Sequence, residues 1–263
     1  MADLGKSRSL AARFVLEAAR DAAMQPVLAL ARRATRTTAS VLITGETGTG
    51  KRALADWIHA NGAQRGGPLV RLGGAALVDD LLAVAVRDRS ADGVFAAAAG
   101  GTVVIEEPCD LPPEAQAALA QLLDAPAQRG PHATGPRVIA TSRQAAERAV
   151  RTGELRADLY YSLSVIAIAV PPIRQRAGDI PALVAAFLAR STPRPVVISA
   201  PALAWLAGAA WPGNVRELES TIERAVALSD DGVIEVEDLA GLAPGYTDGE
   251  LTQVRRRRRS FDR

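Results

Sequence analysis

Apolar residues follow two patterns that alternate along the first 170 residues of this chain. Short unbroken runs of mostly β-branched residues are typical of strands buried on both faces of a sheet. Five segments rich in such residues occur, at residues 41–43, 69–72, 102–107, 137–141 and 164–170, and the apolar run is unbroken over Val103–Ile105. Between them, apolar residues recur at helical spacing, as in Ala115, Ala118, Leu119, Leu122 and Leu123. This alternation predicts βαβ units, and therefore an α/β fold with a parallel sheet.

The pattern changes after Gly178, where the strand-like runs stop. Three helices are predicted there, at residues 181–190, 201–209 and 214–229. In the last of them, Asn214 with Glu217 three residues later predicts a capping box. The C-terminal part is therefore expected to form a small all-helical domain.

The stretch from Ser40 to Arg52 joins the first predicted strand to its helix through a glycine-rich loop with the phosphate-loop spacing G-x-x-x-x-G-K. Glycines let successive N–H groups point at one anion, and the helix N-terminus adds the positive end of its dipole. A lysine at this place supplies a point charge to the terminal phosphates. The residues expected to bind a nucleotide are Gly45, Glu46, Thr47, Gly48, Thr49, Gly50, Lys51 and Arg52. The alternative is an ordinary glycine-rich turn, but the strand before and the helix after favour the phosphate loop.

Two acids, Glu106 and Glu107, end the third predicted strand. Open α/β sheets bind ligands beyond the C-terminal ends of their strands. Hydrolysis of a nucleoside triphosphate needs a metal ion to neutralise charge and an acid to position the attacking water. The two glutamates are therefore the candidates for these tasks. The simpler alternative is a pair of solvated acids at a strand end.

Composition restricts the classes of function. The 263 residues are 48% hydrophobic and 23% charged, which indicates a soluble globular chain. There is no run of eighteen apolar residues and no apolar core in the first twenty, so we expect neither a membrane span nor a secretory signal, and a cytoplasmic location. One cysteine, Cys109, and two distant histidines offer no disulfide and no metal cluster.

Basic residues are concentrated at the C-terminus. The last twelve residues carry a net charge of +5, whereas the rest of the chain carries −3. Residues 242–263 lack a packing pattern and are expected to be a disordered, Arg-rich tail. The run Arg255–Arg259 is either a solvated tail, which we favour in a chain so rich in arginine, or a weak and non-specific contact for nucleic acid.

Five segments occur in a recognisable order: Val41–Lys51, Gly100–Glu107, Leu155–Tyr161, Val170–Pro181 and Trp211–Leu218. Together they resemble the central AAA+ domain of sigma-54-dependent transcription activators, the bacterial enhancer-binding proteins. The resemblance implies a P-loop AAA+ parallel sheet flanked by helices and followed by a small helical lid. The implied domains are a lead-in at 1–20, a nucleotide-binding domain at 21–177, the lid at 178–241 and the tail at 242–263.

The resemblance also implies roles for matching residues. Lys51 resembles the phosphate-loop lysine, Glu106 the acid linked to Mg²⁺ through water, and Glu107 the catalytic base. Arg156 resembles the arginine finger that reaches a neighbouring subunit's γ-phosphate, and Arg216 the sensor arginine of the lid. The alternative for either arginine is a surface ion pair. The implied ligands are ATP and Mg²⁺, and the implied assembly is a ring of identical chains or of this chain with a related activator.

The chain departs from the family pattern around the site. Arg52 replaces a glutamate, Glu106 an aspartate, Arg143 the sensor asparagine, and Ser162 a second arginine. The Gly-Ala-Phe-Thr-Gly-Ala loop that touches sigma-54 is absent, since residues 82–95 contain nothing similar. A receiver domain before residue 20 and a helix-turn-helix after residue 240 are also not recognised.

These observations predict an ATP-binding AAA+ transcriptional regulator that acts through a partner activator, so that it reaches sigma-54 RNA polymerase only indirectly. Two alternatives stay open. One is a free-standing AAA+ ATPase that remodels another target, and the other is a nucleotide-binding scaffold without catalysis. The intact loop predicts ATP binding, whereas its altered surroundings leave hydrolysis open.

Overall fold

The computed structural model describes residues 19–74, 78–79, 94–129, 135–192, 194–229 and 232–240. Its internal contacts divide the chain into two units. The first contains Gln25–Glu46 and Gly50–Val170, and the second contains Glu17–Met24, Thr47–Thr49 and the chain from Pro171 onwards. The tip of the predicted phosphate loop therefore groups with the C-terminal unit.

A five-stranded parallel sheet forms the centre of the first unit. Its strands are β1 (Val41–Thr44), β2 (Leu69–Gly73), β3 (Thr102–Glu106), β4 (Arg137–Ser142) and β5 (Ile166–Ala169). All residues of β4 are buried, and β3 is buried up to Ile105, which explains the unbroken apolar runs in the sequence. The α/β fold and its parallel sheet are confirmed.

The strand order brings the C-terminal ends of β1, β3 and β4 next to one another at one edge of the sheet. The order is β2-β3-β4-β1-β5, so that β1 lies between β4 and β5 while its successor β2 lies at the far side. Thr44 pairs with Ser142, and Glu106 pairs with Thr141. Because ligands bind beyond the C-terminal ends of such strands, the residues that follow β1, β3 and β4 are placed for chemistry.

Helices accompany the sheet in the described part of the first unit. They are α1 (Gln25–Ala34), α2 (Lys51–Ala60), α3 (Val94–Ala97), α4 (Pro113–Arg129), α5 (Ala146–Arg151) and α6 (Ala157–Leu163). Helix α4 begins at a proline, whose fixed backbone angle suits a first helical turn. Leu119 of α4 joins Leu159 and Leu163 of α6 in the buried core, where each leucine stabilises the fold by about 1.5–3 kcal/mol.

The second unit is mainly helical, as predicted. Its helices are α7 (Ile180–Ser191), α8 (Ala200–Gly208), α9 (Asn214–Leu228) and α10 (Val236–Ala240). Trp211 is 2% exposed, and its indole N–H donates to the carbonyl of Leu206 at 2.7 Å, so that the end of α8 is fixed to the start of α9.

The helical unit also holds a short parallel strand pair that the sequence pattern does not predict. It consists of β6 (Val197–Ile198) and β7 (Val233–Ile234). The β-branched residues favour extended backbone. Runs of two residues are too short to be distinguished from a loop by periodicity, so the expectation of an all-helical unit needs this correction.

The predicted capping box at α9 is wrong for Asn214 and correct for Glu217. The N-cap residue is Gly213, and no side chain caps the helix there. Glu217 does reach back, since its Oε2 accepts from the Gly213 N–H at 2.7 Å. The Asn214 amide is engaged elsewhere, because its Oδ1 accepts from the Ile173 N–H at 2.9 Å.

Some expectations fall outside the described residues: the lead-in up to residue 18, residues 82–93 of the altered segment 82–95, and the tail at 242–263. The predicted domain limits stay predictions. Among the helices of the described residues, none has both the length and the apolar character that a membrane span needs.

Candidate functional site

The loop between β1 and α2 has the backbone shape of an anion cradle. Gly48 has a φ of 82° and Gly50 a φ of 101°, values that residues with a side chain rarely adopt. Gly50 is the N-cap of α2, so the positive end of the helix dipole lies at the loop. A side chain at Gly48 is excluded sterically as well, because its Cβ would lie 2.1 Å from the carbonyl oxygen of Gly213.

Lys51 lies against this loop with its side chain largely buried. It is the first residue of α2 and is 9% exposed. Its Nζ donates to the carbonyl of Gly45 at 2.6 Å and to that of Glu46 at 3.1 Å. The ammonium is therefore held against the loop, where a phosphate group would meet both the charge and the backbone N–H groups.

Two side chains of the second unit hold the tip of the loop. The Nδ2 of Asn214 donates to the Thr47 carbonyl at 3.0 Å, and the Nη2 of Arg176 donates to the Thr49 carbonyl at 2.7 Å. Arg176 is 1% exposed, and burial lowers the pKa of its guanidinium, an effect that the neighbouring Asp179 opposes. Sequence reasoning assigned neither residue a part in the site.

Arg216, the expected sensor arginine, also lies near the loop tip. It is an exposed residue in the first turn of α9. Its Cβ lies 3.4 Å from the position that a Cβ on Gly48 would occupy. The structure thus brings Arg216 to the loop, and its sensor role stays a prediction.

Arg52 contacts Glu106, the acid that is expected to hold Mg²⁺ through water. Its Nη2 forms an ion pair with the Oε2 of Glu106, with the arginine side chain 61% exposed and the glutamate side chain 20% exposed. The other oxygen of Glu106, Oε1, is buried and has no hydrogen-bond partner in the part of the chain that the structure describes. One acceptor of this carboxylate is therefore still available.

Glu107 is held in a strained backbone conformation directly after β3. Its φ of 52° lies in the left-handed region, which is uncommon for residues other than glycine and concentrates at functional sites. Its Oε2 accepts from the backbone N–H of Arg143 at 2.9 Å. The Arg143 side chain turns away to Asp110, also at 2.9 Å. Arg143, which replaces the sensor asparagine of the family, therefore orients the Glu107 carboxylate through its backbone N–H.

A cleft of about 450 Å³ opens beside these acids. It is lined by Gly73, Gly74, Val78, Glu106, Glu107, Asp110 and Leu111. No cluster of three or more potential metal ligands exists among the described residues. The buried Oε1 of Glu106 nevertheless lacks a donor, which a metal-bound water would supply. The residues therefore fit Mg²⁺ held through water, and not a cage made of protein ligands alone.

Arg156 does not join this group of residues. It is the N-cap of α6, and its guanidinium bonds to both oxygens of Asp158, at 2.7 Å and 3.1 Å. Hydrogen bonding to Arg156 lowers the pKa of Asp158. Ser162, which replaces the second arginine of the family, donates instead to Asp124 at 3.2 Å. Both partners of the Arg156 pair are about half exposed, so the arginine is accessible to another molecule.

Comparison with known proteins identifies the family. The model of the sigma-54 interaction domain matches residues 18–169, and that of the AAA+ ATPase lid domain matches residues 174–247. The chain belongs to the sigma-54 interaction domain family. The resemblance seen in the five sequence segments is therefore confirmed.

The curated relatives of this chain include proteins named as regulators. It is 36% identical over 241 residues to the Nif-specific regulatory protein of Azotobacter vinelandii, covering 83% of this chain and 46% of that protein. It is 34% identical over 255 residues to the DNA-binding transcriptional regulator NtrC of Bradyrhizobium sp. (strain RP501 Parasponia), covering 89% of this chain and 53% of that protein. The chain thus spans about half the length of these relatives.

A solved structure has the same fold. NtrX from Brucella abortus in complex with ATP superimposes with a TM-score of 0.73 and 27% sequence identity. The similarity covers 92% of this chain and 60% of the NtrX chain.

Proposed function

We propose that this sigma-54 interaction domain binds ATP in the loop between β1 and α2. The position of Lys51 carries the proposal, because a largely buried ammonium lies against a glycine-rich loop at a helix N-terminus. Gly45 to Arg52 would surround the phosphates, with Arg216 close to the loop tip. The similarity to NtrX solved with ATP supports the same ligand here.

Glu106 is the residue that would hold Mg²⁺, through a water on its Oε1. Mg²⁺ usually keeps several waters and is bound through one or two carboxylates plus substrate phosphates. When bound, the ion neutralises charge on the phosphates. Arg52 leaves Glu106 only one oxygen for this purpose, so we expect a weaker metal site than a free carboxylate would give.

Hydrolysis is assigned to Glu107 and Arg156. Glu107, oriented by the Arg143 N–H, would position the attacking water in its own site. Arg156 would reach the γ-phosphate held by a neighbour, since its guanidinium is accessible. A ring with head-to-tail contacts gives every Arg156 such a neighbour, whether the ring contains only this chain or also a related activator.

The regulatory role is proposed to be indirect. The sequence lacks the Gly-Ala-Phe-Thr-Gly-Ala motif, so contact with sigma-54 would come from a partner activator in the cytoplasm. Nucleic acid would be contacted at most weakly, through Arg255–Arg259. A second candidate function, a nucleotide-binding scaffold without catalysis, is favoured by the Arg52–Glu106 ion pair.

Replacing Lys51 tests the ATP site. In Lys51→Ala we expect ATP affinity, measured by isothermal titration calorimetry, to fall about tenfold to a hundredfold, because a charged hydrogen-bond donor is worth about 1.5–3 kcal/mol. Arg36→Ala removes an exposed cation from the same unit and should leave the affinity unchanged.

Equal ATP affinity in Lys51→Ala and the unaltered protein would place the nucleotide elsewhere and reject this site. ATP turnover that is lost in Glu107→Gln would identify an enzyme. Binding without turnover would leave the scaffold as the function.

A further inference from the structure

A buried glutamine on α4 links the segment after Glu107 to the backbone of Arg156. Gln116 is 3% exposed. Its Nε2 donates to the carbonyls of Leu111 and Glu154, both at 2.9 Å, and its Oε1 accepts from the Arg156 N–H at 2.9 Å. Both amide hydrogens are used, so one side chain joins two segments that are separate in sequence.

Leu111, at one end of this link, is tied closely to Glu107. The residues between them form a 3₁₀ turn, Pro108–Asp110, for which Glu107 is the N-cap. The Asp110 N–H donates to the Glu107 carbonyl at 2.9 Å, and the Leu111 N–H donates to the Pro108 carbonyl at 3.3 Å. A displacement of the Glu107 backbone would therefore move the carbonyl to which Gln116 donates.

Arg156, at the other end, has a backbone that is fixed from both sides. Leu155 is 2% exposed and Leu159 is fully buried. The Leu155 N–H donates to the Ala149 carbonyl at 3.0 Å, and the Arg156 carbonyl accepts from the Tyr160 N–H at 3.0 Å. The position of the Arg156 guanidinium therefore depends on the position of its backbone. The side chain of Gln116 fixes that backbone by accepting from the Arg156 N–H.

We propose that Gln116 is a positioning residue that couples the nucleotide state sensed at Glu107 to the placement of Arg156. The proposal rests on the proposed function, in which Glu107 serves the chain's own nucleotide and Arg156 serves a neighbour's. ATP in one protomer thereby alters the arginine that is presented to the next protomer. The route passes from Glu107 through its turn and Leu111 to the amide of Gln116.

Amide hydrogen exchange of the full chain, measured by mass spectrometry with and without the non-hydrolysable analogue AMP-PNP, tests the coupling. Slower exchange in peptides covering residues 41–60 reports nucleotide binding, and peptides covering residues 152–160 report the Arg156 segment. In the unaltered protein we expect AMP-PNP to change the exchange of both. In Gln116→Met, which has similar volume and no amide, exchange at 152–160 should be about tenfold faster and should no longer respond to AMP-PNP.

Gln121→Met places the same substitution at an exposed position of α4 and should behave like the unaltered protein. Faster exchange at 152–160 that still responds to AMP-PNP would show a merely structural glutamine and overturn the coupling. Protection at 41–60 with no response at 152–160 in the unaltered protein would also overturn it, while ATP binding would stand. No protection at 41–60 would reject the proposed function itself.

A shorter amide covers the case in which Gln116→Met fails to fold. Gln116→Asn keeps the polar group but is one methylene too short to join both segments. The response at 152–160 should again be lost while residues 41–60 stay protected by AMP-PNP, and a retained response would overturn the proposal.

Discussion

Arg52 changes the site through a single charge. It brings a guanidinium to the Oε2 of Glu106, whereas Oε1 has no hydrogen-bond donor among the described residues. A cation beside the acid repels a metal ion at the same place, and the ion pair must loosen for both oxygens to become available. Position 52 is therefore expected to set the metal affinity of the site.

Removing that cation should strengthen Mg²⁺ binding. In Arg52→Ala, Mg²⁺ affinity of the AMP-PNP complex, measured by titration calorimetry, should rise about threefold, because an exposed ion pair is worth about 0.2–1 kcal/mol. Arg71→Ala, on strand β2, breaks the ion pair with Asp56 of α2 and is the matched control. If Mg²⁺ affinity is the same in Arg52→Ala as in the unaltered protein, the cation does not act on the metal site.

The sequence predicts site residues whose task depends on local spacing. The glycines, Lys51 and the two glutamates are recognised because loop, helix start and strand end are each local. Gln116, Arg176 and Asn214 are missed because each has a partner that lies far away in the sequence, at separations of 38, 127 and 167 residues. Arg176 and Asn214 lie in segments that resemble the family, but the resemblance did not indicate what either side chain binds. Arg143 acts through its backbone, which residue identity does not reveal.

At the scale of elements, helix α2 is joined to strand β3 by a buried histidine. The Nδ1 of His59 lies 2.9 Å from the Oγ1 of Thr102, and both residues are buried. Burial lowers the pKa of His59, and the positive charges of Arg71 and Arg137 lower it further. The folded protein therefore keeps this imidazole neutral at a pH where the unfolded chain takes up a proton.

Lowering the pH should destabilise the folded protein through His59. Since the folded pKa lies below the unfolded value of 6.5, the unfolded chain binds more protons in that window, and the free energy of unfolding should fall as the pH drops below 6.5. Urea unfolding at about pH 7.5 and about pH 5.5 measures the effect. His59→Gln should reduce the difference, whereas His132→Gln should keep it. An unchanged difference in His59→Gln would assign the pH dependence to other groups.

The elements themselves were mostly predictable, for physical reasons. Strands buried on both faces need unbroken apolar runs, and amphipathic helices need apolar residues at helical spacing, so both kinds of pattern are visible in the sequence. The β6–β7 pair and the N-cap of α9 were not predicted, although the helix itself was expected to begin at Asn214. A two-residue strand has no period, and the amide of Asn214 was taken up by the Ile173 N–H and the Thr47 carbonyl instead of capping its helix.

At the scale of the whole molecule, the proposed function divides each active site between two protomers. Lys51→Ala and Arg156→Ala should each abolish ATP turnover, the first because the lysine no longer holds the phosphates and the second because the arginine in trans is lost. An equal mixture should recover about one quarter of the activity, because one site in four then combines an intact Lys51 with an intact neighbouring Arg156.

Turnover of the mixture is measured after the proteins have been allowed to exchange subunits. Mixing Lys51→Ala with Lys51→Ala/Arg156→Ala is the control and should stay inactive. If the first mixture also stays inactive although the variants assemble together, Arg156 serves its own chain and not a neighbour.

The attachment of the loop tip to the second unit limits how this protein can be dissected. A polypeptide ended at Val170 would keep every glycine of the loop and Lys51, but it would lose the Asn214 amide and the Arg176 guanidinium that fix the loop carbonyls. Thr47 and Thr49 are therefore not expected to be held in place in such a fragment. Replacing the C-terminal unit by that of a relative is expected to change the nucleotide affinity, even if every proposed catalytic residue is kept.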